Sequence, residues 1–397
     1  MFCVQGRTRK NDKKARKKQG DQTMKSAIGQ CIELSLFGES HGEAIGVVIQ
    51  GLPSGIRIDE AWMGKQMEKR KPKGKISTQR QEADVPEIVS GVFEGRTTGT
   101  PLCILIRNEN MRSKDYSKTR YIPRPSHADY TAEIKYLGYQ DYRGGGHFSG
   151  RITAPLVAAG AIFLQMLKAK GIEIGTHVAQ MQELMDAPFA DEEAELRAQL
   201  LSLEDQYLAC LSDSTRTAIQ QRIEQAQAQG DSMGGILESA VVGMPAGVGE
   251  PFFDSVESRL AHLLFSIGAV KGVEFGDGFD FAAKRGSEAN DGITIDNGHI
   301  RTLTNHNGGI NGGITNGMPL RIRTVVKPTP SIYKPQPSVN LKTGEPTTLQ
   351  IEGRHDPAIL HRARVVVDSL IAFGLADLLT ERFGILWWEG ERPCGED

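Results

Sequence analysis

Two apolar stretches near the start of the chain differ in their hydrophobic pattern. Residues 31–36 alternate between apolar and polar and predict a half-buried strand, whereas residues 44–49 are almost continuously apolar and predict a more buried strand. The loop between them, Gly38-Glu39-Ser40-His41-Gly42, places a histidine between two glycines. The pattern therefore predicts two strands joined by a loop that carries candidate chemistry.

Four helices are predicted from apolar periodicity and capping residues. The last helix is expected to open at Asp356 as N-cap with Pro357 at its first position, because proline is tolerated there. The first is capped by Asp59. The predicted helices span residues 60–68, 154–168, 254–265 and 357–382, and further strands span 87–93, 102–107, 235–243 and 320–326.

The predicted elements occur in blocks and not in strict βαβ alternation. This order favours an α+β fold with antiparallel sheets over a doubly wound parallel sheet. Residues 191–229 are rich in Glu, Gln, Ala and Leu and predict a helical hairpin. We expect this segment, within about 189–230, to be a surface insertion without a functional role.

Charge is uneven along the chain. The 397 residues carry a net charge of -2, which indicates no general polyanion partner. The first 25 residues hold nine Lys or Arg and two Asp, lack the apolar core of a secretory signal, and are expected to be a disordered tail. Nucleic-acid binding by this tail stays open as an alternative, and Met24 is a candidate start.

Cysteine spacing and hydropathy exclude further classes of protein. Five scattered cysteines without CxxC spacing favour reduced thiols over a disulfide framework or a zinc site. We identify no stretch near the ~20 apolar residues of a membrane helix. The sequence thus predicts a cytoplasmic protein with no membrane partner and no bound metal.

Glycine stands beside charge in several loops, which is a pattern suited to anions. Glycine lets backbone N–H groups approach a ligand, and Arg or Lys adds charge-assisted hydrogen bonds to phosphate oxygens. Taken singly, each such charge is typical of a solvated surface. The candidates are Arg70, Lys75, Arg151, Lys327 and Arg354.

Three histidines lie in or near these loops: His41, His127 and His355. A histidine beside bound phosphate would have its charged form favoured and could act as general acid to a leaving phosphate. The alternative for each is a hydrogen-bonded loop residue. Ser40 neighbours His41, but no GxSxG motif supports a nucleophile. The residues alone indicate an anion-handling enzyme and do not reveal a flavin.

Five motifs, taken together, resemble the chorismate synthase family. The resemblance runs from about residue 26 to 382 and is interrupted at the helical insertion. The motifs are Gly-Glu-Ser-His-Gly at 38–42, Arg-Pro-Ser-His-Ala-Asp-Tyr-Thr at 124–131, Asp-Tyr-Arg-Gly-Gly-Gly at 141–146, Gly-Gly-Ile-Thr-Asn-Gly at 312–317 and Gly-Arg-His-Asp-Pro at 353–357.

This resemblance implies a fold, ligands and a reaction. The fold is a β-α-β sandwich, with antiparallel sheets around central helices, in one catalytic domain at 26–384 followed by a tail at 385–397. The ligands are reduced FMN and 5-enolpyruvylshikimate 3-phosphate, with NADPH a candidate reductant. The reaction is a trans-1,4 elimination that gives chorismate and phosphate without net redox change. The implied assembly is a homotetramer.

The resemblance also implies roles for individual residues. His41 matches the histidine that protonates the leaving phosphate, and His127 matches the histidine beside the flavin. Asp356, with Ser40, matches the pair that assists flavin N5 as base. Arg70 and Lys75 match positions for anionic substrate or NADP. The matching flavin positions are His147, Phe148, Ser149, Gly268, Ala269, Gly312, Lys327, Pro328, Thr329, Pro330, Ser331 and Arg354.

Two segments depart from the family pattern. Many members have Arg-Ser-Ser or Arg-Ala-Ser where this chain has His147-Phe148-Ser149, and Asn-Ala where it has Gly268-Ala269. These changes remove a fixed positive charge and an amide from implied flavin contacts. A flavin-dependent oxidoreductase stays open as the rival enzyme class, because it would consume reductant in proportion to product.

Overall fold

A computed structural model describes residues 24–77, 83–109, 120–296, 298–351 and 355–389. Nearly all of the predicted basic tail, the end of the predicted C-terminal tail and Arg354 lie outside the described residues. The helices are α1 (Glu60–Arg70), α2 (Asp129–Lys135), α3 (Thr153–Ala169), α4 (Glu193–Leu203), α5 (Asp213–Ala228), α6 (Val256–Phe265), α7 (Gly286–Ala289) and α8 (Leu360–Phe383).

The strands are mostly short. They are β1 (Ala27–Ile28), β2 (Glu33–Gly38), β3 (Ala44–Gln50), β4 (Glu87–Ser90), β5 (Val92–Phe93), β6 (Arg96–Thr97), β7 (Leu102–Arg107), β8 (Glu173–Met181), β9 (Leu184–Met185), β10 (Gly235–Val242), β11 (Val270–Phe275), β12 (Ile293–Asp296), β13 (His299–Thr302), β14 (Ile310–Asn311), β15 (Ile314–Thr315), β16 (Leu320–Val326), β17 (Gln336–Val339) and β18 (Pro346–Leu349). A glycine-rich turn spans Arg143–Phe148, and a 3₁₀ turn follows at Gly150–Ile152.

The first large sheet follows the apolar pattern of the N-terminal half. Its order is β1-β2-β3-β7-β4, and every pair is antiparallel. Ile45 lies opposite Ile106 at the centre, and both are fully buried. The strands predicted at 31–36, 44–49 and 102–107 are present, whereas the one predicted at 87–93 divides into β4 and β5.

The second large sheet has the order β11-β16-β10-β8-β9 and is also antiparallel. Its strand β8 has no counterpart in the sequence prediction. This strand buries Thr176 and His177, which interrupt the apolar pattern. Their polar atoms bond to Ser239 and Glu238 of β10, so the strand is stabilised by partners about sixty residues away.

Two long helices, α3 and α8, lie between the sheets. They approach closely where Gly160 of α3 meets Ser369 of α8, since a Cβ on Gly160 would overlap the serine side chain. α3 also contacts β3 and β7, while α8 contacts β8 and β10. The prediction of an α+β fold with antiparallel sheets around central helices is therefore confirmed.

The stretch Gly150–Ala169 is long and apolar enough to cross a membrane by length and composition alone, which differs from the sequence expectation. It is the one such stretch in the described part of the chain, and 67% of its apolar window is buried inside the protein. A core helix passes the same test, so this feature is explained by the position of α3 between two sheets.

The predicted insertion contains α4 and α5. Leu196 and Leu200 of α4 pack with Ala240 and Val242 of β10 in a second apolar cluster on the outer face of the second sheet. This segment therefore covers a sheet face and has a core of its own.

Helix α8 begins later than its sequence signals indicate. Its N-cap is Ile359, so the prediction of Asp356 as N-cap with Pro357 at the first helical position is wrong. The carbonyl of Pro357 instead accepts from Met233 N at 2.7 Å, and Ala358 forms a β-bridge with Met233. These long-range bonds keep residues 357–358 extended. In contrast, Asp59 caps α1 as predicted, because it accepts from Trp62 N at 2.9 Å.

Candidate active site

The glycine-rich turn at 143–148 lies between His41 and His127. Gly144, Gly145 and Gly146 all have positive φ, which side chains rarely adopt. A Cβ on Gly144 would overlap the His41 ring, and one on Gly145 would lie 3.3 Å from His127 Cε1. Two histidines that are 86 residues apart in sequence (41 and 127) thus face the same turn.

Ser40 and His41 form the first side of this site, and both are buried. Ser40 Oγ lies 2.9 Å from His41 Nδ1. The backbone N–H of Ser40 donates to the Gly146 carbonyl at 3.2 Å. The hydroxyl is also within 3.2 Å of Arg143 O and 3.3 Å of Gly144 O, to either of which it can donate. These contacts fix the ring of His41 against the glycine turn.

Asn108 holds the loop that carries these two residues. Its amide donates to Glu39 O at 3.1 Å and to Gly42 O at 2.8 Å. Its carbonyl accepts from Arg151 Nε at 2.6 Å. An amide with donor and acceptor both engaged in this way orients the loop strongly. Asn108 directly follows a predicted strand and carried no sequence signal for this role.

His127 forms the second side. Its Nδ1 donates to Asp129 Oδ1 at 2.7 Å, and Asp129 also accepts from Arg124 Nε and Nη2, each at 2.8 Å. Burial alone would raise the pKa of Asp129, but the hydrogen bonds from Arg124 and His127 outweigh it and lower that pKa. The carboxylate therefore stays ionised and orients the ring of His127 through the hydrogen bond that it accepts from Nδ1.

Arg124 and Asp129 lie within the motif at 124–131, and neither was predicted to have a role. Their signal was a charged pair within three residues of a candidate histidine. Arg143, the first residue of the turn, is paired with Asp141 at 2.7 Å. The hydrogen bonds from Arg143 lower the pKa of Asp141, with a smaller contribution from nearby His41.

The loop from Lys327 to Ser331 meets the second histidine. Lys327 Nζ donates to Ser126 O at 2.6 Å, directly before His127, and Lys327 N donates to Ala269 O at 2.9 Å. Burial and the nearby ammonium of Lys271 lower the pKa of Lys327. Two cations held together in this way suit an anionic ligand such as a phosphate group. Pro328, Pro330, Ser331 and Gly268 lie along the same loop pair.

Asp356 joins this loop from the other side. Its carbonyl accepts from Thr329 Oγ1 at 2.9 Å, and its carboxylate accepts from Arg362 Nη1 at 2.5 Å. Arg362 is a further residue that sequence reasoning missed. It lies on α8 and orients the carboxylate that was expected to cap that helix.

Residues 147–149 are placed against β2. His147 Nδ1 donates to Gly38 O at 2.8 Å, and its Nε2 lies 3.4 Å from Ser26 Oγ. Ser149 accepts from Arg151 N at 3.3 Å, while the ring of Phe148 is 43% exposed beside Tyr136. His147 therefore joins the glycine turn to the loop of Ser40 and His41.

Arg70 is the last residue of α1 and Lys75 lies in the loop that follows, and their environments differ. Arg70 is buried and donates to Asp84 at 2.7 Å, to Thr153 Oγ1 at 3.0 Å and to Gly150 O at 3.1 Å. Arg151 binds the other oxygen of Asp84. Lys75 is exposed. Of the two, only Lys75 has its charge on the surface.

Gly312 belongs to a hairpin whose hydrogen bonds are made to a different segment of the chain. It is exposed at the turn between β14 and β15, and this hairpin bonds to residues 247–256, for example through Val256 N to Gly313 O at 3.0 Å. Among the described residues no group of three or more His, Cys, Asp or Glu side chains is arranged to hold a metal ion.

Known proteins with similar sequences and structures share one description. A family model described as chorismate synthase matches residues 32–380. The chorismate synthase of Thermococcus kodakarensis is 45% identical over 362 residues, which cover 91% of this chain and 99% of that protein. That of Lachnoclostridium phytofermentans is 46% identical over 356 residues, covering 89% and 95% respectively. A crystal structure titled as chorismate synthase superposes with a TM-score of 0.70 at 27% identity, covering 90% of this chain and 94% of that one.

Proposed function

We propose, from the premise that this chain belongs to the chorismate synthase family, that it converts 5-enolpyruvylshikimate 3-phosphate to chorismate and phosphate with reduced FMN. The chain is accordingly a carbon–oxygen lyase that acts on phosphate. The observation that supports this reaction best is the placement of His41 and His127 on either side of the turn at 143–148.

The leaving phosphate requires a proton and positive charge as its C–O bond breaks. We assign the proton to His41, whose ring is oriented by Ser40 at 2.9 Å. Groups held in place before the reaction stabilise developing charge most effectively, because no reorganisation is needed. His127, held by Asp129 at 2.7 Å, is assigned to the neighbourhood of the flavin.

The residues around Lys327 fit the proposed cofactor. Lys327 and Lys271 supply two cations, and Gly268 leaves open space where a Cβ would meet no atom within 4 Å. Reduced FMN, when bound, supplies the electron-rich ring beside the departing phosphate. We propose that residues 327–331, 268–269 and 147–149 hold it, with Gly312 and Arg354 as further expected contacts. NADPH is proposed only as a source of reducing equivalents.

Asp356 is proposed as the base that assists removal of the substrate hydrogen, together with Ser40. The two side chains have separate partners, since Asp356 is bound by Arg362 and Ser40 by His41. Arg70 and Lys75 are proposed for the anionic substrate. The buried contacts of Arg70 favour a role in shaping the loop, whereas exposed Lys75 can reach a ligand directly.

An anaerobic assay with reduced FMN and the phosphorylated substrate tests this function. Chorismate and phosphate should appear in equal amounts while a catalytic amount of flavin suffices. Consumption of reductant in proportion to product would instead favour a flavin-dependent oxidoreductase. Absence of FMN affinity even with the substrate present would remove the proposal altogether.

Replacement of either histidine tests the assigned roles. His41→Ala and His127→Ala should each lower kcat by about 10²–10⁴-fold, because each removes a positioned proton-transfer or charge-stabilising group. The far-UV circular dichroism should stay unchanged. His262→Ala, at an exposed position on α6, is the matched control. Unchanged turnover in both site variants would contradict the assignments.

We further propose a single catalytic domain at 26–384, a cytoplasmic location and a homotetramer. One continuous apolar cluster from Ile32 to Trp388 supports the single domain. Exposed apolar side chains on and beside the β12–β13 hairpin, each at least 72% exposed, support association: Ile293, Ile295, Ile300 and Leu303. Light scattering should give a mass near four times 43.4 kDa, and a monomeric mass would contradict the assembly.

A further inference from the structure

The basic loop, residues 71–77, is held at both ends by the first turn of α8. It contains three lysines and follows α1. At its start, Arg362 Nε donates to the carbonyl of Arg70 at 2.7 Å. At its end, Ser77 Oγ lies 2.7 Å from Nε2 of His361, which is fully buried. These two contacts hold the ends of the loop, and its middle is held by a different residue.

Tyr207 supplies this support. Its hydroxyl accepts from Lys73 N at 2.8 Å and lies 2.6 Å from Ser77 Oγ. One oxygen thus joins the middle of the basic loop to its end. The ring of Tyr207 packs edge-on against His361, with centroids 4.9 Å apart. A hydroxyl with two bonds and a packed ring has little freedom to move.

The helical insertion fixes Tyr207 independently of the basic loop. The preceding carbonyl, that of Gln206, accepts from the guanidinium of buried Arg364 on α8. Ala209 O accepts from Val178 N of β8 at 2.8 Å, and Leu208 and Cys210 are buried in the main core. Tyr207 is therefore presented from a rigid segment between α4 and α5.

We propose that Tyr207 is a positioning residue for the phosphorylated substrate, since its hydroxyl holds the basic loop in the conformation that presents Lys75. This inference rests on the proposed function for the identity of the ligand. It gives the insertion a role, in contrast to the expectation that it has none. Tyr207 itself acts through the loop and is not assigned a contact with substrate.

The expected effect is on binding more than on chemistry. Without the hydroxyl, the free loop samples more conformations, and substrate binding must order it. Tyr207→Phe keeps the ring and its packing but loses the two hydrogen bonds. We expect KM for the phosphorylated substrate to rise about 3–10-fold while kcat changes less than twofold, consistent with the modest net value of one or two hydrogen bonds.

Two measurements test the inference with one matched control. Steady-state kinetics under anaerobic conditions give KM and kcat, and limited trypsin digestion with mass spectrometry gives the cleavage rates after Lys73 and Lys75. Tyr207→Phe should raise KM and accelerate both cleavages. Tyr139→Phe, whose ring is 91% exposed, should change neither. Equal behaviour of the two variants would overturn the inference.

A second variant guards against a general folding defect. Ser77→Ala removes the same hydrogen bond from the loop side together with the one to His361, so it should raise KM at least as much. The double variant should show less than the product of the two single effects, because both act on one contact. If the rise in KM of the double variant equalled the product of the two single effects, the two side chains would not act through one shared contact.

Failure of the proposed function would be distinguishable. A wild-type protein that forms no chorismate would reject the function, and the trypsin rates would still decide whether Tyr207 holds the loop. An active wild type with unaltered KM and cleavage rates in Tyr207→Phe would reject the positioning role alone.

Discussion

At the scale of single residues, Gly144 is the glycine of the turn that contacts both Ser40 and His41. Its φ is +57°, and a Cβ would overlap His41 and lie 2.8 Å from Ser40 Oγ. Both the backbone conformation and the space therefore demand glycine here. The neighbouring side chains are those that we assign to proton transfer.

Gly144→Ala should accordingly lower kcat at least tenfold, because the added methyl group displaces His41 and misplaced catalytic groups are costly. The global fold should persist, as monitored by the thermal unfolding midpoint, within a few degrees of wild type. Gly150→Ala is the matched control, since a Cβ there meets no atom within 4 Å and φ is not positive. Equal activity of the two variants would show that the turn does not touch the working site.

At the scale of elements, α8 organises the molecule although it is almost entirely buried. Several of its charged side chains bind neighbouring elements. Asp368 accepts from Thr176 of β8 at 2.6 Å, and Arg362 reaches the loop after α1 at 2.7 Å. Burial raises the pKa of Asp368 against the opposing influence of Arg364. This helix therefore joins the second sheet to the two loops proposed to bind anions.

Asp377 makes the corresponding connection at the other end of α8. Its carboxylate accepts from three backbone N–H groups, those of Gln30 at 2.9 Å and of Cys31 and Ile32 at 2.8 Å. It also pairs with Arg259 of α6. One buried carboxylate thus fixes the segment before β2 and a second helix.

Asp377→Asn should destabilise the protein by ~3 kcal/mol, because it leaves Arg259 with a weakened buried partner and replaces an acceptor oxygen by an amide donor. Denaturant unfolding at pH 7 measures this change. Asp280→Asn is the control, since the Asp280 side chain is 74% exposed and lies 3.6 Å from Arg323. A loss below ~1 kcal/mol for Asp377→Asn would contradict the role given to this carboxylate.

At the scale of the whole molecule, two buried histidines give stability opposite dependences on pH. Burial, assisted by Arg362 and Arg364, lowers the pKa of His361 to about 3. Below its ordinary pKa of 6.5, the unfolded chain binds a proton that folded His361 does not. This residue therefore lowers stability as pH falls from 6.5 towards 3.

His177 has the opposite effect on the pH dependence of stability. Burial opposes its charge, but hydrogen bonds to Asp186 at 2.8 Å and Glu238 at 2.9 Å outweigh burial and raise its pKa. Above pH 6.5 the folded protein holds a proton that the unfolded chain has released. The stabilisation by this group is complete below pH 6.5 and is lost as pH rises through the raised pKa.

The opposite effects of His361 and His177 yield a prediction in which each variant serves as the control for the other. His361→Gln should reduce the fall in unfolding free energy between pH 6.5 and 4, where one group contributes up to ~1.4 kcal/mol per pH unit. His177→Gln should reduce the fall in unfolding free energy above pH 6.5 and leave the slope between pH 6.5 and about 5 unchanged, because carboxylates stay ionised in that range. Denaturant titrations from pH 4 to 9 measure both slopes. The assigned signs would be contradicted if His361→Gln changed the slope above pH 6.5 and His177→Gln the slope below it. They would also be contradicted if wild type and both variants gave parallel curves of unfolding free energy against pH.

Much of the framework could be predicted because its cause is local. Alternation over 31–36 and the apolar run at 44–49 specified β2 and β3, and the side chain of Asp59 specified the start of α1. Strand β8 could not be predicted, since His177 reads as polar until its two carboxylate partners are known. Likewise, the local pattern did not indicate that Met233 would hold residues 357–358 extended, so that Asp356 binds Arg362 and does not cap α8.

The sequence by itself determined the class of fold and the family motifs and singled out the candidate histidines, because these depend on residue type and short spacing. Only the tertiary structure decided the partners: the glycine turn between His41 and His127, the buried pairing of Arg70 with Asp84, and the contact of Tyr207 with the basic loop. The physical reason is distance along the chain. A hydrogen bond acts over about 3 Å, and folding alone determines which separated residues come that close.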